Sequence, residues 1–147
     1  MRIFLFIGLL SVLLQSGEYK AVFDCSSSDA DYIKSRMWLV GKTIDMIEKK
    51  GDKADFVITL HGGCVSMVSK EYKEFVDDDD VEAIAKAQEH LKTLATRKKV
   101  KVIVCAMSLD ANAIERKEVL PFVEISPNSF IDTIGYQNKG YALMTFK

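Results

Sequence analysis

Three apolar, β-branched runs of this sequence each end in a cysteine, and the three cysteines are Cys25, Cys64 and Cys105. A thiolate is both a nucleophile and a soft metal ligand. If the runs are neighbouring parallel strands, all three thiols face one edge of one sheet. Ligands of open α/β sheets bind outside the carboxyl ends of the strands. The sequence therefore predicts sulfur or metal chemistry at that edge.

Cys105 is the strongest candidate for a reactive thiol. It ends the apolar run 100–105, and Ser108 follows as a predicted helix cap. The positive N-terminus of that helix would favour the thiolate. The competing interpretation is a buried core cysteine, which is a common fate of this residue type.

Cys64 follows the sequence His61, Gly62, Gly63. The two glycines permit a tight turn that brings backbone N–H groups toward a bound anion or sulfur species. His61 is suited to polarise a thiol or to supply a nitrogen ligand. A histidine that only ends a strand is the alternative.

Cys25 lies beside Asp24, whose negative charge would oppose thiolate formation. We interpret Cys25 as structural, or as a partner for another thiol. An odd number of cysteines in an exported chain leaves at least one of them free. A disulfide from Cys64 to Cys25 or to Cys105 requires Cα atoms within ~7 Å, and both pairings stay open.

The elements that would position these residues alternate between strand and helix from Glu18 onward. Strands are predicted at 19–24, 55–60, 100–104, 122–125 and 141–146, and helices at 28–50, 81–94, 108–117 and 128–137. Strands separated by helices imply parallel pairing with right-handed crossovers. The predicted fold class is α/β, a three-layer α/β/α sandwich around a mainly parallel five-stranded sheet.

Several boundaries of these elements carry specific predictions. Ser28 is predicted to cap the first helix, with Gly51 just beyond its end. Ser126 is predicted to cap the last helix, with Pro127 at its first position. The segment 65–80 is longer than a usual connection. It is either a short helix or lid over the cysteine edge, or a surface loop whose apolar residues pack locally or against another subunit.

The first residues differ in character from the rest of the chain. Residues 3–14 form an apolar run after Arg2, which is too short to span a bilayer but typical of an export signal. We predict a signal peptide over 1–17, a single domain over 18–147, and a periplasmic or secreted location. The alternative is an additional buried element of a cytoplasmic domain. No stable membrane span is expected after cleavage.

Composition and motifs argue against several classes of function. Twenty basic and twenty-one acidic residues leave no electrostatic footprint for nucleic acid. The sequence has no phosphate loop, dinucleotide fingerprint or nucleophile-elbow serine, so no cofactor is predicted. The absence of a Cys-x-x-Cys motif disfavours a thioredoxin-type oxidoreductase and a structural zinc site.

The C-terminal half resembles the DsrE/DsrF-like family. The residues that carry the resemblance are those at 102–109, 120–125, 130–131 and 136–142. His61 and Gly62, after the second strand, are similar to the same place in an uncharacterised branch of that family. The likeness covers roughly 20–146. It implies a YchN-like α/β/α fold, assembly into trimers or hexamers, and a link to sulfur relay. The cysteine that carries a persulfide in sulfur-transferring members matches Cys105.

These observations give one leading hypothesis and two alternatives. In the leading hypothesis the protein is a sulfur carrier or sulfurtransferase: Cys105 takes sulfane sulfur from a donor protein or small sulfur species and yields it to an acceptor, assisted by His61 or Cys64. The first alternative is a soft copper(I) or zinc site formed by Cys25, His61, Cys64 and Cys105. The second is an oligomeric interaction protein without catalysis. Whether the chain is an enzyme stays open.

Overall fold

A computed structural model describes residues 16–147. The strands are β1 (Glu18–Cys25), β2 (Lys53–Leu60), β3 (Val100–Cys105), β4 (Glu124–Ser126) and β5 (Ala142–Phe146). The helices are α1 (Ala30–Lys49), α2 (Val81–Ala95), α3 (Ala106–Ala111) and α4 (Ser129–Asn138). The predicted export signal falls almost entirely on residues 1–15, which lie outside the described part of the chain. None of the helices from residue 16 onward has the length and apolar character needed to cross a bilayer.

The five strands form one sheet in the order β4-β3-β2-β1-β5, and every pair is parallel. The chain steps in one direction from β1 to β4 and then returns to β5 on the other side of β1. Right-handed crossovers therefore place α1, α2 and α3 on one face of the sheet, and α4 on the opposite face. This arrangement confirms the predicted three-layer α/β/α fold.

The hydrophobic cores on the two faces of the sheet differ greatly in size. We call these faces the α1/α2 face and the α4 face. The larger core lies on the α1/α2 face, where it includes Phe23, Ile58 and Val104. The smaller cluster on the α4 face consists of Val22, Val57 and Ile103, packed against Tyr136 and Tyr141. Because side chains alternate along a strand, β1, β2 and β3 each supply both cores.

Two predicted helix caps are wrong by one or two residues. The carboxylate of Asp29, not Ser28, caps α1 by accepting the N–H of Tyr32 at 2.8 Å. The side chain of Asn128, not Ser126, caps α4 by accepting the N–H of Phe130 at 2.8 Å. In both cases an Asp or Asn one or two residues after the serine supplies the capping acceptor.

The predicted helix over 108–117 is also corrected. The structure has α3 directly after β3, so Cys105 stands at the N-cap position and Ser108 lies inside the helix. The chain then leaves the helix through Ala113, whose φ of 56° is in the left-handed region. A separate 3₁₀ turn follows at Arg116–Glu118. The Ser108 hydroxyl is therefore free to bond outside its own helix.

The long segment after β2 is a packing element and not a lid. It folds into 3₁₀ turns at Gly62–Val68, Tyr72–Glu74 and Asp78–Asp80. Met67 and Val68 are fully buried within the core of the α1/α2 face. The apolar residues of this segment thus extend the core, which is the local-packing interpretation of the sequence.

Candidate functional site

Strand register brings a row of polar side chains to the α4 face at the carboxyl edge of the sheet. Asp24 of β1 is paired with Thr59 of β2, and Thr59 with Ile103 of β3. Cys105 comes two residues after Ile103 and so shares its face. His61 follows β2 on the same side, within hydrogen-bond reach of Asp24. These residues share one end of one face because the strands are parallel and in register.

Cys105 lies in an environment that favours its thiolate. The side chain is 4% exposed and is not part of a disulfide. Burial raises the pKa of the thiol, but hydrogen bonds from the backbone and side chains of Ser129 and Ser108 outweigh that effect, so the pKa is lowered from its ordinary value. The groups that lower this pKa come from two helices, Ser108 from α3 and Ser129 from α4.

The position of α4 explains how a distant residue reaches this sulfur. β4 is only three residues long, and its last residue, Ser126, is paired with Cys105. The chain turns immediately through the Asn128 cap into α4, whose first residue is Ser129. The first N–H groups of a helix have no partner within it. One of these free donors, that of Ser129, lowers the pKa of the Cys105 thiol.

His61 and Asp24 form a hydrogen-bonded pair beside the thiol. The distance from His61 Nε2 to Asp24 Oδ2 is 3.1 Å, and each side chain is 18% exposed. The bond to Asp24 raises the pKa of His61 against the effect of partial burial, and the nearby Cys105 thiolate raises it further. The imidazolium form is thereby favoured next to the sulfur.

The Asp24 carboxylate is fixed by a second partner. Burial raises the pKa of Asp24, but the bonds from His61 and from Thr59 outweigh it, and the pKa is lowered. The Thr59 hydroxyl donates to Asp24 Oδ1 at 2.8 Å, and Thr59 is itself buried. With both oxygens engaged, Asp24 holds the imidazole in one orientation.

Gly62 and Gly63 form the tight turn that the sequence predicts, but their N–H groups donate hydrogen bonds within the chain. Gly62 has a φ of +52° and donates its N–H to Ser108 Oγ at 3.2 Å. Gly63 donates to the carbonyl of Ser26 at 3.2 Å. A Cβ atom on Gly63 would lie 2.6 Å from the Cα atom of Ser28, so only glycine fits there. Both N–H groups already have acceptors within the chain.

Cys25 and Cys64 are joined in a disulfide with a Cα–Cα distance of 5.9 Å. Both are fully buried and belong to the core of the α1/α2 face. Cys105 shares their edge of the sheet but lies on the opposite face. The expected cluster of three sulfur atoms is therefore divided by the sheet, because neighbouring positions along a strand point in opposite directions.

This division bears directly on the soft-metal interpretation. Of its four proposed ligands, Cys25 and Cys64 are bonded to each other, and His61 and Cys105 lie on the other face. Within residues 16–147 no group of three or more His, Cys, Asp or Glu side chains is placed to hold a metal ion. No observation favours a metal centre over thiol chemistry.

The arrangement that remains is a cysteine, a histidine and a carboxylate on one face of the sheet, with the histidine between the other two. Groups at the start of two helices lower the pKa of the thiol. We call Cys105, His61, Asp24, Ser108 and Ser129 the thiol site. A thiolate so placed is a nucleophile, and the imidazolium is a nearby proton donor. Cys105, His61 and Ser108 were predicted from the sequence as residues of this site, whereas Asp24 and Ser129 were not. A polar residue inside an apolar strand was the available signal for Asp24.

Comparisons with known proteins agree with this fold. A model of the DsrE/DsrF-like family matches residues 20–146. An uncharacterized protein of Aquifex aeolicus (strain VF5) is 38% identical over 145 residues, which is 99% of this chain and 63% of that protein. The chain thus spans less than two thirds of the length of this relative.

The structure of MTH1491, a protein of unknown function from Methanobacterium thermoautotrophicum, superimposes with a TM-score of 0.63. The match has 14% sequence identity and covers 86% of this chain and 98% of the other. At that identity the likeness concerns the fold alone.

Proposed function

The chain belongs to the DsrE/DsrF-like family, and from this premise we propose that it is a sulfur carrier or sulfurtransferase that holds sulfane sulfur as a persulfide on Cys105. Family membership supports a sulfur-relay role in general. The observation that carries the specific proposal is the position of Cys105 at the N-cap of α3 and opposite Ser126, three residues before α4 begins at Ser129, where groups of Ser108 and Ser129 lower the pKa of its thiol. That placement stabilises an anionic sulfur, which both the attacking thiolate and a bound persulfide require.

The transfer is a displacement at sulfur. The Cys105 thiolate attacks the terminal sulfur of a persulfide donor R–S–SH, a new bond forms from Cys105 Sγ to that sulfur, and the donor S–S bond breaks. The donor leaves as R–S⁻, and Cys105 becomes Cys–S–SH. An acceptor thiolate then attacks the same terminal sulfur, becomes a persulfide itself, and releases the Cys105 thiolate. No external oxidant or reductant is consumed in either step.

His61 is the proton donor in this proposal. Its imidazolium, held by Asp24 at 3.1 Å, lies close enough to respond electrostatically to the thiolate. A proton delivered to R–S⁻ makes the donor a better leaving group, since thiols of low pKa leave faster and protonation serves the same end. Asp24 is a positioning residue because it acts through the imidazole.

The test is intact-mass analysis after incubation with glutathione persulfide. Wild-type protein should gain the mass of one sulfur atom, and an excess of thiol should remove it. Cys105→Ser should gain none. The matched control is the double variant Cys25→Ala/Cys64→Ala, which should still gain one sulfur because its thiol site is on the other face of the sheet.

Two results would contradict the proposal. One is a Cys105→Ser variant that accepts as much sulfur as the wild type. The other is a folded wild-type protein that gains no sulfur at any donor concentration while its Cys105 thiol still reacts with iodoacetamide. The second result would leave a reactive thiol with a different substrate.

We also propose that copies of the chain assemble through the outer surface of α4. Phe130, Ile131 and Ile134 are 67%, 67% and 58% exposed, and Met107 of α3 is 62% exposed. Large apolar side chains exposed together are typical of a protein interface. The Phe130 ring lies 6.3 Å from the His61 ring, centroid to centroid, so such an assembly would border the thiol site.

Sedimentation velocity tests this assembly. Ile134→Glu should shift the protein to monomers, whereas Met46→Glu should not, although Met46 on α1 is 66% exposed. A wild-type monomer at all concentrations would rule out assembly through α4.

A periplasmic or extracellular location completes the proposal. The Cys25–Cys64 disulfide supports it, because such bonds persist mainly in oxidising compartments. The charged and apolar character of residues 1–17 supports it as well. Mass analysis of the native protein should find it shortened near residue 17 and oxidised at Cys25 and Cys64. A full-length chain recovered with three reduced thiols would contradict this location.

A further inference from the structure

A second binding site lies on the α1/α2 face, away from the thiol site. It is a groove between the flank of α1 and the edge strand β5, with a volume of about 310 Å³. Its walls include Leu39, Val40 and Ile47 from α1, and Phe23, Met144 and Phe146 from the sheet. We call it the α1/β5 groove. Its volume falls at the lower end of the range of small-molecule sites.

The groove exists because α1 covers the middle of the sheet and leaves its edge open. Helix α1 packs on β2, two strands away from β5. Met144 of β5 is 48% exposed and Leu39 of α1 is 42% exposed, although both are large and apolar. Both side chains line the groove. This apolar surface lacks a cover from residues 16–147.

One cation stands in this groove without a counter-charge. Arg36 lines the groove, and its guanidinium stacks on the ring of Tyr32 at 4.8 Å. Its Nε atom is buried and has no hydrogen-bond partner among residues 16–147. Lys20, the other cation of the groove, already pairs with Glu18 at 3.6 Å. Arg36 is therefore held by packing, with its charge uncompensated within the described chain.

From this combination we propose that the α1/β5 groove binds a single-chain amphiphile with a carboxylate head, such as a fatty acid. The carboxylate pairs with the Arg36 guanidinium, which presents donors in a fork that fits two oxygens. The alkyl chain lies along α1 toward Ile47. Between Arg36 and Ile47 the helix rises about 16 Å, at about 1.5 Å per residue, which suits a chain of medium length.

The chemistry of the groove favours this occupant over others. An uncharged apolar molecule would leave Arg36 unpaired, and a small hydrophilic anion would leave the apolar walls in contact with water. A carboxylate joined to an alkyl chain satisfies both parts of the groove at once. The proposal is independent of the chemistry at Cys105, which lies on the other face of the sheet.

The experiment is calorimetric titration of the folded protein with dodecanoate below its micelle concentration. We expect one saturable site per chain. Dodecyltrimethylammonium, which has the same chain and the opposite charge, should bind at least tenfold more weakly. Arg36→Gln should weaken dodecanoate binding about tenfold or more, since it removes a charge-assisted pair. Lys42→Gln is the matched control, because Lys42 is also on α1 but lies over Trp38 outside the groove.

A second variant separates a ligand from a protein partner. Met144→Asp should abolish dodecanoate binding by placing a carboxylate in the groove, and circular dichroism should show that it is folded. Equal binding of the two amphiphiles, or unchanged binding by Arg36→Gln, would overturn the proposal. So would a wild-type dimer that Met144→Asp dissociates and dodecanoate does not affect, because the groove would then be a contact between copies.

Discussion

At one edge of the sheet, the two faces place their cysteines in opposite environments. On the α1/α2 face, Cys25 and Cys64 are fully buried among apolar side chains and bonded to each other. On the α4 face, groups of Ser108 and Ser129 lower the pKa of the Cys105 thiol, and the His61 imidazole is nearby. All three cysteines end strands or follow them closely. Their chemistry is decided by the face they occupy.

The same backbone connects these two environments. Asp24 and Cys25 are consecutive, so one side chain supports His61 while the next forms the disulfide. His61 and Cys64 are likewise joined by the turn through Gly62 and Gly63. The disulfide thus links the same two chain segments that carry the His61–Asp24 pair. If the two faces act independently in spite of this connection, a substitution on one face should leave the properties of the other unchanged.

Removal of the disulfide should have the largest effect on stability. The bond closes a loop with a sequence separation of 39, for which loop entropy gives about 4 kcal/mol. Cys25→Ala/Cys64→Ala should therefore lower the free energy of unfolding by roughly this amount in urea titrations. The rate of Cys105 alkylation, measured under conditions where the protein stays folded, should change little.

The alkylation of Cys105 in the double variant tests whether the two faces are independent. A large change in the pH dependence of Cys105 alkylation in the double variant would show that the disulfide holds the thiol site in place. The two faces would then form one functional unit. The Cys105→Ser variant is the complementary control, since it should keep nearly all of the wild-type stability.

The next largest effect should come from Gly63→Ala. The new Cβ atom would lie 2.6 Å from the Cα atom of Ser28 and 2.7 Å from the carbonyl oxygen of Ser27. Both are backbone atoms, so the turn must move, at an expected cost of about 1–3 kcal/mol. Thermal unfolding measures this cost directly.

Gly135→Ala is the matched control for that substitution. Gly135 lies within α4, and a Cβ atom there would meet nothing within 4 Å. Alanine in a helix interior is favoured over glycine by about 1 kcal/mol. The melting temperature should therefore rise, and a fall similar to that of Gly63→Ala would contradict the steric explanation.

The fold could be predicted from the sequence because it depends on long, regular patterns. Apolar positions of α1 such as Ile33, Met37 and Val40 recur with helical spacing and are all buried. The run that forms β3 has the continuous apolar character of a strand buried on both faces. Such patterns are local, and the right-handed crossover then determines most of the topology.

The thiol site could be predicted only in part, because the face of the sheet on which a side chain lies depends on its exact position along the strand. The sequence placed Cys25 and Cys105 at one edge, but a shift of one position along a strand moves a side chain to the other face. The contribution of Ser129 depends on where α4 begins, which in turn depends on the short β4 strand. Neither feature has a signal in the local sequence.

A smaller effect, of about 1–2 kcal/mol, should follow from Asp24→Asn, which weakens a charge-assisted bond. The pKa of His61 is raised in the folded protein, so its contribution to stability is complete below the ordinary value of 6.5 and is lost as pH rises through the folded-state pKa. The pKa of Asp24 is lowered, so its contribution is complete above 3.8 and is lost as pH falls through its folded-state pKa. The destabilisation should therefore be greatest between pH 3.8 and 6.5.

Two measurements check this variant. Urea titrations across the pH range should show the loss of stability declining above the wild-type His61 pKa. Proton NMR of the imidazole should show a His61 pKa closer to 6.5 in Asp24→Asn than in the wild type. Asp31→Asn, which alters an exposed carboxylate of α1, is the control and should leave the His61 titration unchanged.

The smallest effect should come from Ser108→Ala, which tests the link between the turn and the thiol. The Ser108 hydroxyl accepts the N–H of Gly62 at 3.2 Å and also lowers the pKa of Cys105 by hydrogen bonding. The backbone donors of Ser108 and Ser129 remain in the variant. The midpoint of Cys105 alkylation against pH should therefore rise in the variant but stay below the ordinary pKa of 9.0. Ser66→Ala, whose hydroxyl donates to the Gly63 carbonyl at 3.2 Å, removes a bond next to Cys64 instead and should not move that midpoint. An equal rise in both variants would mean that the thiol responds to the position of the whole turn, so that the two faces of the sheet are coupled through Gly62 and Gly63.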